Sequence, residues 1–313
     1  MCIKKNDMKI VFLDASTLGA ASLEPIAELG ELVCYPYSSP AEALERVADA
    51  EVLIINKVKV TAQLMDAAPR LRLICEAATG VNNIDLEAAA ERGIPVKNVA
   101  GYSTDSVVQL TFALILNLLC RTAEYDSYVK GGEYSASPIF TEVSRPFMEL
   151  AGKTMGIVGM GTIGQRVAKA AQAFGMEVIY FSTSGTSHCK DYPSVGIDEL
   201  MSRSDIVSIH APLNARTNGL IGARELALMR PSAIIINIGR GGIVNEQALA
   251  DAISSGAIAG AGLDVFTSEP LPASNPLLHT AHPERLSFTP HIGWASKEAL
   301  NRLVQGIASN IQG

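Results

Sequence analysis

Three polar side chains near the ends of apolar segments have the chemistry to act on a carbonyl group. The first is Arg240, in the run Ile236-Asn-Ile-Gly-Arg-Gly-Gly242, where a predicted strand ends among glycines. Glycines allow a sharp turn, and the planar guanidinium can hold a carboxylate and polarise a carbonyl together. In α/β proteins, ligands bind at the carboxyl ends of parallel strands. Taken alone, Arg240 is equally compatible with a surface ion pair.

The other two side chains are a histidine and a carboxylate. His291 lies in the run Phe288-Thr-Pro-His-Ile-Gly-Trp294, and Glu269 follows a predicted strand that ends near Asp264. Histidine exchanges protons near neutral pH, and a carboxylate partner raises its pKa and fixes its ring. A single histidine is more often a packed or surface residue than a catalyst. The prediction of a catalytic site therefore depends on the combination of Arg240, Glu269 and His291.

The run Gly159-Met-Gly-Thr-Ile-Gly164 follows the apolar segment Met155–Val158 and opens a predicted helix. In this setting the first glycine permits the tight turn, and the second lets a pyrophosphate approach the backbone. The third lets the helix pack close to the strand, and the helix N-terminus attracts the phosphates. The pattern predicts a dinucleotide site. A glycine-rich turn without function is disfavoured by the flanking strand and helix.

The next predicted strand, Glu177–Phe181, should be followed by an acid that binds the adenosine ribose. That position holds Ser182 instead, followed by further hydroxyl-bearing residues. A missing carboxylate removes the repulsion that excludes a 2′-phosphate, and His188 or Lys190 lies nearby in the sequence. We therefore predict that NADP(H) is accepted beside NAD(H), with a preference for NADP(H) as the stronger form of the hypothesis. The alternative is that Ser182 merely weakens selectivity for NAD(H).

Strand-like and helix-like segments alternate along the chain, which predicts α/β domains with parallel sheets. The predicted strands are Lys9–Ala15, Glu31–Tyr37, Glu51–Lys57, Leu71–Ala78, Pro95–Val99, Thr154–Gly159, Glu177–Ser182, Ile206–His210, Ala233–Ile238, Gly260–Val265 and Leu286–Thr289. The predicted helices are Ser22–Leu29, Ala41–Ala50, Thr61–Ala68, Asp85–Arg92, a long one from Ser103 to Lys130, Ile163–Phe174, Ile197–Ser202, Ala223–Leu228, Glu246–Ser255 and a last one from Lys297.

Composition narrows the function classes. The chain has 313 residues, 48% of them hydrophobic and 18% charged, which predicts two domains with sizeable cores. Its net charge of −7 disfavours a nucleic-acid binder. The cysteines are scattered without a metal-ligand pattern, which favours reduced thiols in the cytoplasm and no metal site. We expect no signal peptide in the first residues, and a buried helix rather than a membrane span at Val107–Cys120.

The chain resembles the D-isomer-specific 2-hydroxyacid dehydrogenases over essentially its whole length. The motifs that carry the resemblance are Glu76-Ala-Ala-Thr-Gly-Val-Asn-Asn-Ile-Asp85, Gly101-Tyr-Ser-Thr-Asp-Ser-Val107, the Gly159–Gly164 run, His210-Ala-Pro-Leu-Asn-Ala-Arg-Thr217, Asn237-Ile-Gly-Arg-Gly241, Asp264-Val-Phe266 with Glu269-Pro270, and Thr289-Pro-His291. Several independent motifs in the family's order leave little room for chance. The resemblance implies two Rossmann-like domains, the cofactor domain being inserted into a discontinuous, flavodoxin-like substrate domain.

The resemblance also implies roles. Arg240 would hold the substrate carboxylate and keto oxygen, His291 would protonate that oxygen, and Glu269 would pair with His291. Backbone N–H groups of Thr79, Gly80 and Val81 would bind the carboxylate from the substrate domain. The expected cofactor contacts, with Asp264 near the nicotinamide amide, are Thr104, Gly159, Gly161, Thr162, Ile163, Gly164, Ser182, His210, Ala211, Pro212, Thr217, Ile238, Gly239, Asp264 and Gly293.

The domain bounds that the resemblance implies are 1–100 for the substrate domain, 101–284 for the dinucleotide domain and 285–313 for a return to the substrate domain. The long Ser103–Lys130 helix and the segment that follows it resemble the family's dimer-forming arm, so a homodimer is expected. The Asn275-Pro-Leu-Leu and Trp294 segments are similar to glycerate dehydrogenases. This favours reduction of hydroxypyruvate or glyoxylate to D-glycerate or glycolate. A D-lactate-type or 3-phosphoglycerate dehydrogenase, a phosphite or formate dehydrogenase and an NAD(H)-sensing corepressor are the alternatives.

Overall fold

A computed structural model describes residues 8–144 and 146–313. The chain divides into two compact units. The first contains the residues up to Ser103 together with Trp294–Gly313, and the second contains Thr104–Gly293. The expectation about a signal peptide, and Cys2, lie largely outside the described residues. The expectation of two α/β domains is confirmed.

The described residues form parallel strands and the helices that connect them. The strands are β1 Lys9–Phe12, β2 Glu31–Cys34, β3 Val52–Ile55, β4 Leu73–Glu76, β5 Val96–Lys97, β6 Thr154–Val158, β7 Glu177–Phe181, β8 Ile206–Ile209, β9 Ile234–Asn237, β10 Gly260–Leu263 and β11 Leu286–Phe288. The α-helices are α1 Glu24–Ala27, α2 Pro40–Arg46, α3 Ala62–Asp66, α4 Leu86–Glu91, α5 Thr104–Cys120, α6 Thr122–Lys130, α7 Thr162–Ala173, α8 Ile197–Arg203, α9 Ala223–Leu228, α10 Glu246–Ser255 and α11 Lys297–Gln312. The 3₁₀ helices are Ala15–Leu18, Tyr134–Ala136, Pro276–His279 and Pro283–Arg285.

The first unit is built on a five-stranded parallel sheet in the order β2-β1-β3-β4-β5. This is the flavodoxin-like order, in which the connections change direction beside β1. Every residue of β3 is buried, as expected for a strand covered on both faces. Helices α2, α3 and α4 pack on one face, and α1 and α11 pack on the other. The carboxyl ends of β1, β3 and β4 therefore meet at one edge.

The second unit contains a six-stranded parallel sheet in the order β11-β10-β9-β8-β6-β7. A single parallel bridge from Tyr180 to Ser194 continues the sheet beyond β7. This bridge lies where a dinucleotide-binding sheet has its outermost strand, and the connections reverse between β6 and β8. Helices α5 and α7 cover one face, and α8, α9 and α10 cover the other. The carboxyl ends of β6, β8, β9 and β10 thus form the ligand edge of this unit.

The predicted helix from Ser103 to Lys130 is two helices. Arg121 adopts a left-handed backbone with φ of 52°, which ends the α-helical hydrogen bonding at this point. The Asn117 side chain accepts hydrogen bonds from the Thr122 hydroxyl and the Ala123 N–H, at 2.9 and 3.3 Å. These bonds support the start of α6. The sequence contains no proline or glycine here that would predict the break.

The expected domain bounds also shift. Residues 285–293 were expected to belong to the substrate domain, but the second unit extends to Gly293. The physical reason is β11, which pairs in parallel with β10 through Gly262 and Ser287. The first boundary falls at Ser103 rather than residue 100, directly before α5 begins. A three-residue strand of intermediate burial gives too short a pattern to be assigned to one sheet.

Within the described residues no single helix is both long and apolar enough to cross a bilayer, although α5 and α6 together, bent by 59°, meet that test on length and composition. The apolar residues of α5, including Phe112 and Ile115, lie in the core of the second unit. Among the residues that the structure describes, no group of three or more His, Cys, Asp or Glu side chains is placed to hold a metal ion. Cys34, Cys75, Cys120 and Cys189 are free thiols.

Candidate active site

The turn between β6 and α7 depends on two glycines that admit no side chain. Gly159 has a φ of +94°, and a Cβ there would lie 2.9 Å from the carbonyl oxygen of His210. A Cβ on Gly164 would overlap the carbonyl oxygen of Gly159. These contacts bring β6, α7 and the end of β8 together. The roles predicted for the first and third glycines of the motif thus have direct steric reasons.

Gly161 differs from these two glycines, because its Cα faces open space rather than packed backbone. A Cβ on Gly161 would meet no atom within 4 Å. Gly161 is the N-cap of α7 and offers no side chain to the first N–H groups of the helix, those of Thr162 and Ile163 among them. These N–H groups and the helix dipole form an anion site. The residues present therefore fit the pyrophosphate of a dinucleotide.

The two kinds of glycine predict separable effects. Gly161→Ala should fold normally but weaken cofactor binding about tenfold, since its methyl group occupies the pyrophosphate approach. Gly164→Ala should instead destabilise the fold by about 1–3 kcal/mol, because the helix must move away from the strand. Thermal denaturation and a cofactor fluorescence titration measure the two effects. An equal loss of stability in both variants would contradict the assignment.

Ser182 lies directly after β7, at the edge of the cofactor site. Its hydroxyl donates to the carbonyl oxygen of Thr186 at 2.7 Å, which closes a small loop. The guanidinium of Arg216 donates to the carbonyl oxygen of Ser184 in the same loop, at 2.6 Å. A cation therefore stands beside the position where the family usually has an acid. Arg216 comes from the segment after β8, and sequence reasoning had pointed to His188 and Lys190 instead.

The loop after β8 is fixed by polar side chains that form hydrogen bonds within it. His210 is held by a hydrogen bond between its Nε2 and the Ser208 hydroxyl at 2.8 Å, and burial lowers its pKa to about 3. It is therefore a neutral side chain. Thr217 is fully buried and donates to the carbonyl oxygen of Pro212 at 2.6 Å, so it shapes the loop from inside. A Cβ on Gly239 would lie 3.0 Å from the Ala211 carbonyl oxygen, which presses the loops after β8 and β9 together.

Arg240 projects from a loop that buried contacts hold in place. Asn237, at the end of β9, accepts from the Gly239 N–H and donates to the Arg240 carbonyl oxygen, at 3.1 and 2.9 Å. The Arg240 side chain is half-buried, and its Nη1 donates to the carbonyl oxygen of Gly239 at 2.8 Å. Gly241 allows no side chain, since a Cβ there would overlap the Phe266 backbone. The guanidinium is thus set at the ligand edge by its own loop.

Glu269 and His291 form a direct pair. The Glu269 carboxylate accepts from Nδ1 of His291 at 2.7 Å. An ionised carboxylate can only accept, so the pair fixes the tautomer and makes Nε2 the proton-exchanging nitrogen. Glu269 also accepts from the Phe266 N–H at 2.9 Å, and its peptide bond to Pro270 is cis. The predicted pairing is present in the geometry.

Asp264 organises the loop that carries His291. Its carboxylate is 2% exposed and accepts from the Thr289 hydroxyl and from the N–H groups of Ile292 and Gly293, at 2.6, 2.9 and 2.8 Å. Burial raises the pKa of Asp264 above its usual range, and these hydrogen bonds oppose the rise. His291 lies inside this loop with a φ of 55°. Its strained backbone is stabilised by the contacts on either side.

Two further residues, Glu246 and Asn237, hold the loops of the site through hydrogen bonds that were not predicted from the sequence. Glu246 accepts from the Thr267 N–H and from the Asn275 side chain, both at 2.6 Å, and so holds the loop that contains Glu269. In the sequence it is an ordinary acid in the first turn of α10, and no signal separates it from others. The role of Asn237 could have been predicted from the sequence, because an asparagine that ends an apolar strand often forms hydrogen bonds with the following turn.

The expected substrate-binding residues Thr79, Gly80 and Val81 belong to the first unit, directly after β4. Thr79 donates to the Val99 carbonyl oxygen at 3.2 Å, and its own carbonyl oxygen accepts from Asn98 at 2.5 Å. Trp294 also belongs to this unit, where the Lys57 ammonium lies 5.5 Å from the centre of its ring. The candidates Arg240, Glu269 and His291 all belong to the second unit.

Comparison with known proteins decides the family. A family profile described as "D-isomer specific 2-hydroxyacid dehydrogenase, NAD binding domain" matches residues 112–293. The chain belongs to the D-isomer specific 2-hydroxyacid dehydrogenases. It is 36% identical over 312 residues to a hydroxypyruvate reductase of Blautia hydrogenotrophica, covering 97% of this chain and 96% of that one.

Solved structures share the fold of this chain. A Thermus thermophilus protein aligns with a TM-score of 0.87 and 34% identity, over 97% of this chain and 96% of that one. An NADPH-dependent glyoxylate/hydroxypyruvate reductase of Sinorhizobium meliloti, in complex with NADP and malonate, gives 0.84 and 27%, over 97% and 92%. The two-sheet architecture is that of this dehydrogenase family. The protein is an NAD(P)-dependent 2-hydroxyacid dehydrogenase.

Proposed function

We propose that this dehydrogenase reduces hydroxypyruvate and glyoxylate to D-glycerate and glycolate, and catalyses the reverse oxidations. The observation that carries the proposal is the His291–Glu269 pair at 2.7 Å, on the same ligand edge as Arg240 and the open helix N-terminus at Gly161. Its substrate class is supported by two relatives whose names are hydroxypyruvate reductase and glyoxylate/hydroxypyruvate reductase.

In this proposal each site residue has a defined role in the reduction. The reduced nicotinamide, when bound, supplies a hydride to C2 of the keto acid. His291 delivers the proton from Nε2 to the keto oxygen, so the C=O group becomes CH–OH, and Glu269 stabilises the ring throughout. Arg240 holds the carboxylate and draws electron density towards the keto oxygen. The N–H groups of Thr79–Val81 bind the carboxylate from the substrate domain.

A panel of keto acids tests the substrate assignment. Initial rates with hydroxypyruvate, glyoxylate, pyruvate, a branched keto acid and 3-phosphohydroxypyruvate should give the highest kcat/KM for the first two. The product from hydroxypyruvate should be D-glycerate, as determined with a chiral column. High activity with pyruvate or a branched keto acid, and little with hydroxypyruvate, would refute the assignment.

We infer that the enzyme accepts NADP(H). Ser182 removes the carboxylate that would repel a 2′-phosphate, and Arg216 brings a cation to the same loop through its bond to Ser184. The Sinorhizobium relative is an NADPH-dependent protein in complex with NADP. Charge complementarity at this edge therefore favours the phosphorylated cofactor.

Ser182→Asp should reverse this preference. We expect kcat/KM for NADPH to fall on the order of 10²-fold, because a carboxylate then faces the 2′-phosphate, while NADH is used at least as well. Initial rates with both cofactors measure the change. Ser182→Ala is the matched control, since it removes the hydroxyl without adding charge. A wild-type enzyme that strongly prefers NADH would refute the inference.

We also propose a homodimer formed through the segment that follows α6. This segment exposes apolar side chains, among them Phe140, which is 86% exposed, and Val143, which is 75% exposed. Several exposed apolar side chains in one short segment favour contact with another protein surface. Sedimentation at micromolar concentration should give twice the monomer mass, and Phe140→Asp should shift it to monomer. A monomeric wild-type protein would contradict this.

A further inference from the structure

Polar side chains are buried at the carboxyl edge of the five-stranded sheet in the first unit. Asp14 follows β1, Asn56 follows β3 and Glu76 ends β4. They are 3%, 4% and 0% exposed, although two of them are ionisable. The loop with Thr79–Val81 begins directly after Glu76. Charged groups are seldom buried without a partner or a function, so this cluster requires an explanation.

Asp14 has its partners. Its carboxylate accepts from the backbone N–H groups of Asn56, Lys57 and Val58, at 3.0, 2.6 and 3.0 Å. An ionised carboxylate is well satisfied by donors of this kind. Asp14 therefore ties the end of β1 to the turn after β3, and a negative charge lies close to the other two side chains.

Glu76 and Asn56 have no such partners. Both carboxyl oxygens of Glu76 and both polar side-chain atoms of Asn56 are buried without a hydrogen bond. Ile55 is paired with Glu76 across β3 and β4, so Asn56 is the next residue along the neighbouring strand. The Asn83 amide lies near the Glu76 carboxyl, but its hydrogen bonds go to the carbonyl oxygens of Asn56 and Val58, at 3.3 and 3.1 Å.

The donor and acceptor capacity of these atoms, together with the charge of Asp14, favours the protonated state of Glu76. A protonated carboxyl has one O–H donor and one carbonyl acceptor, and the Asn56 amide has an NH₂ donor and a carbonyl acceptor. The two groups are then complementary, directly or through a buried water. An ionised Glu76 could still accept from the Asn56 NH₂, but a second negative charge would then be buried close to Asp14.

Glu76 also lies where it can control the expected substrate loop. The loop Ala77–Asn83 is tied to the turn after β3 by Asn83, whose carbonyl oxygen accepts from the Val60 N–H at 2.8 Å. Its other side is tied by Thr79 to Val99 and by the bond from the Val99 N–H to the Ala78 carbonyl oxygen at 3.1 Å. Glu76 is the buried group at the root of this loop, between its two anchors.

We propose that protonated Glu76 is a positioning residue that holds the loop Ala77–Asn83 in its substrate-binding conformation. The inference rests on the proposed function, since it needs the Thr79–Val81 N–H groups to bind the substrate carboxylate. Loss of the proton would leave Glu76 and Asp14 as two neighbouring buried charges. The loop would then move to bring water to Glu76, and its N–H groups would lose their alignment.

The surroundings of Glu76 agree with a neutral carboxyl. The pKa of Glu76 is raised to about 8, chiefly by burial and also by the charge of Asp14, while Asn83 and Lys57 oppose the rise. The same face of the sheet is covered by α2, α3 and α4. The charged groups of these helices and their caps lie on exposed or half-buried sides: Glu42, Glu45, Arg46, Asp66, Asp85, Glu87, Glu91 and Arg92.

Glu76→Gln tests this, because glutamine keeps one donor and one acceptor but cannot ionise. The fraction of wild-type protein with a protonated Glu76 falls about tenfold between pH 7 and pH 9, so the KM for the keto acid should rise about tenfold relative to that of E76Q. The kcat ratio should stay constant, since Glu76 does not touch the reacting atoms. Glu51→Gln, at the other end of β3, is the matched control and should follow the wild type.

Hydrogen–deuterium exchange of the loop provides a readout that needs no substrate. Exchange of Ala77–Asn83 in the wild type, divided by that in E76Q, should increase between pH 7 and pH 9. A constant KM ratio and a constant exchange ratio would overturn the proposal. If the wild type reduced no keto acid, the proposed function would fail. The exchange ratio would still decide the protonation-dependent order of the loop, since a constant ratio would exclude it.

Discussion

Replacing His291 with asparagine should lower kcat for keto-acid reduction on the order of 10³-fold, while the dissociation constant of the cofactor stays the same. The reason is that asparagine has similar volume and polarity but carries no proton to deliver to the keto oxygen. Glu269 loses its partner, yet it lies outside the pyrophosphate site at Gly161. Steady-state rates and a fluorescence titration with reduced cofactor measure the two quantities.

The chain contains a matched control for this experiment. His282 also pairs through Nδ1 with a carboxylate, that of Glu284, at 3.2 Å, and it belongs to the same unit. His282→Asn removes a comparable histidine–glutamate contact from an exposed site and should leave kcat unchanged. Turnover retained by His291→Asn, or lost equally in both variants, would disprove the assigned role.

Replacing Arg240 with lysine should lower kcat/KM on the order of 10²- to 10³-fold, although the charge is retained. A lysine ammonium lacks the planar fork, so it cannot bind the carboxylate and the keto oxygen together. Each lost charge-assisted hydrogen bond in a closed site is worth about 1.5–3 kcal/mol. In the proposed mechanism Arg240 holds the substrate both in the ground state and during the reaction, so both KM and kcat should worsen.

Arg230→Lys is the control for this substitution. Arg230 precedes β9 in the same unit and donates to the Asp205 carboxylate at 2.9 Å, where a lysine can form a similar ion pair. Its kinetics should match the wild type. An Arg240→Lys enzyme with unchanged kcat/KM would show that the guanidinium geometry has no part in the reaction.

Much of the fold followed from local patterns. Continuous apolar runs such as Val52–Ile55 predicted buried parallel strands, and the bounds of α9 and α10 agree with the predicted helices. The break at Arg121 and the partner of β11 did not follow. The first depends on a side-chain bond from Asn117, and the second on which sheet a short strand joins. Neither the helix break nor the strand pairing can be predicted from the spacing of apolar residues in the local sequence.

The candidate site shows the same division. Residues at strand ends, such as Arg240, could be predicted because parallel strands place their carboxyl ends at one edge. The partners that hold them came from distant segments: Glu246 for the Glu269 loop, and Arg216 for the loop after β7. Their pairing depends on tertiary distances. The local sequence around a charged residue in a helix or loop does not indicate which distant residue it will contact. The buried Glu76 was visible only as part of a family motif.

The most direct test is a crystal structure of the enzyme with NADP(H) and oxamate, an unreactive analogue of a 2-keto acid. The proposed mechanism requires the Arg240 guanidinium and Nε2 of His291 both to lie within about 3.2 Å of the oxamate oxygen that replaces the keto oxygen. An analogue oxygen that contacts only one of Arg240 and His291, or neither, would contradict it.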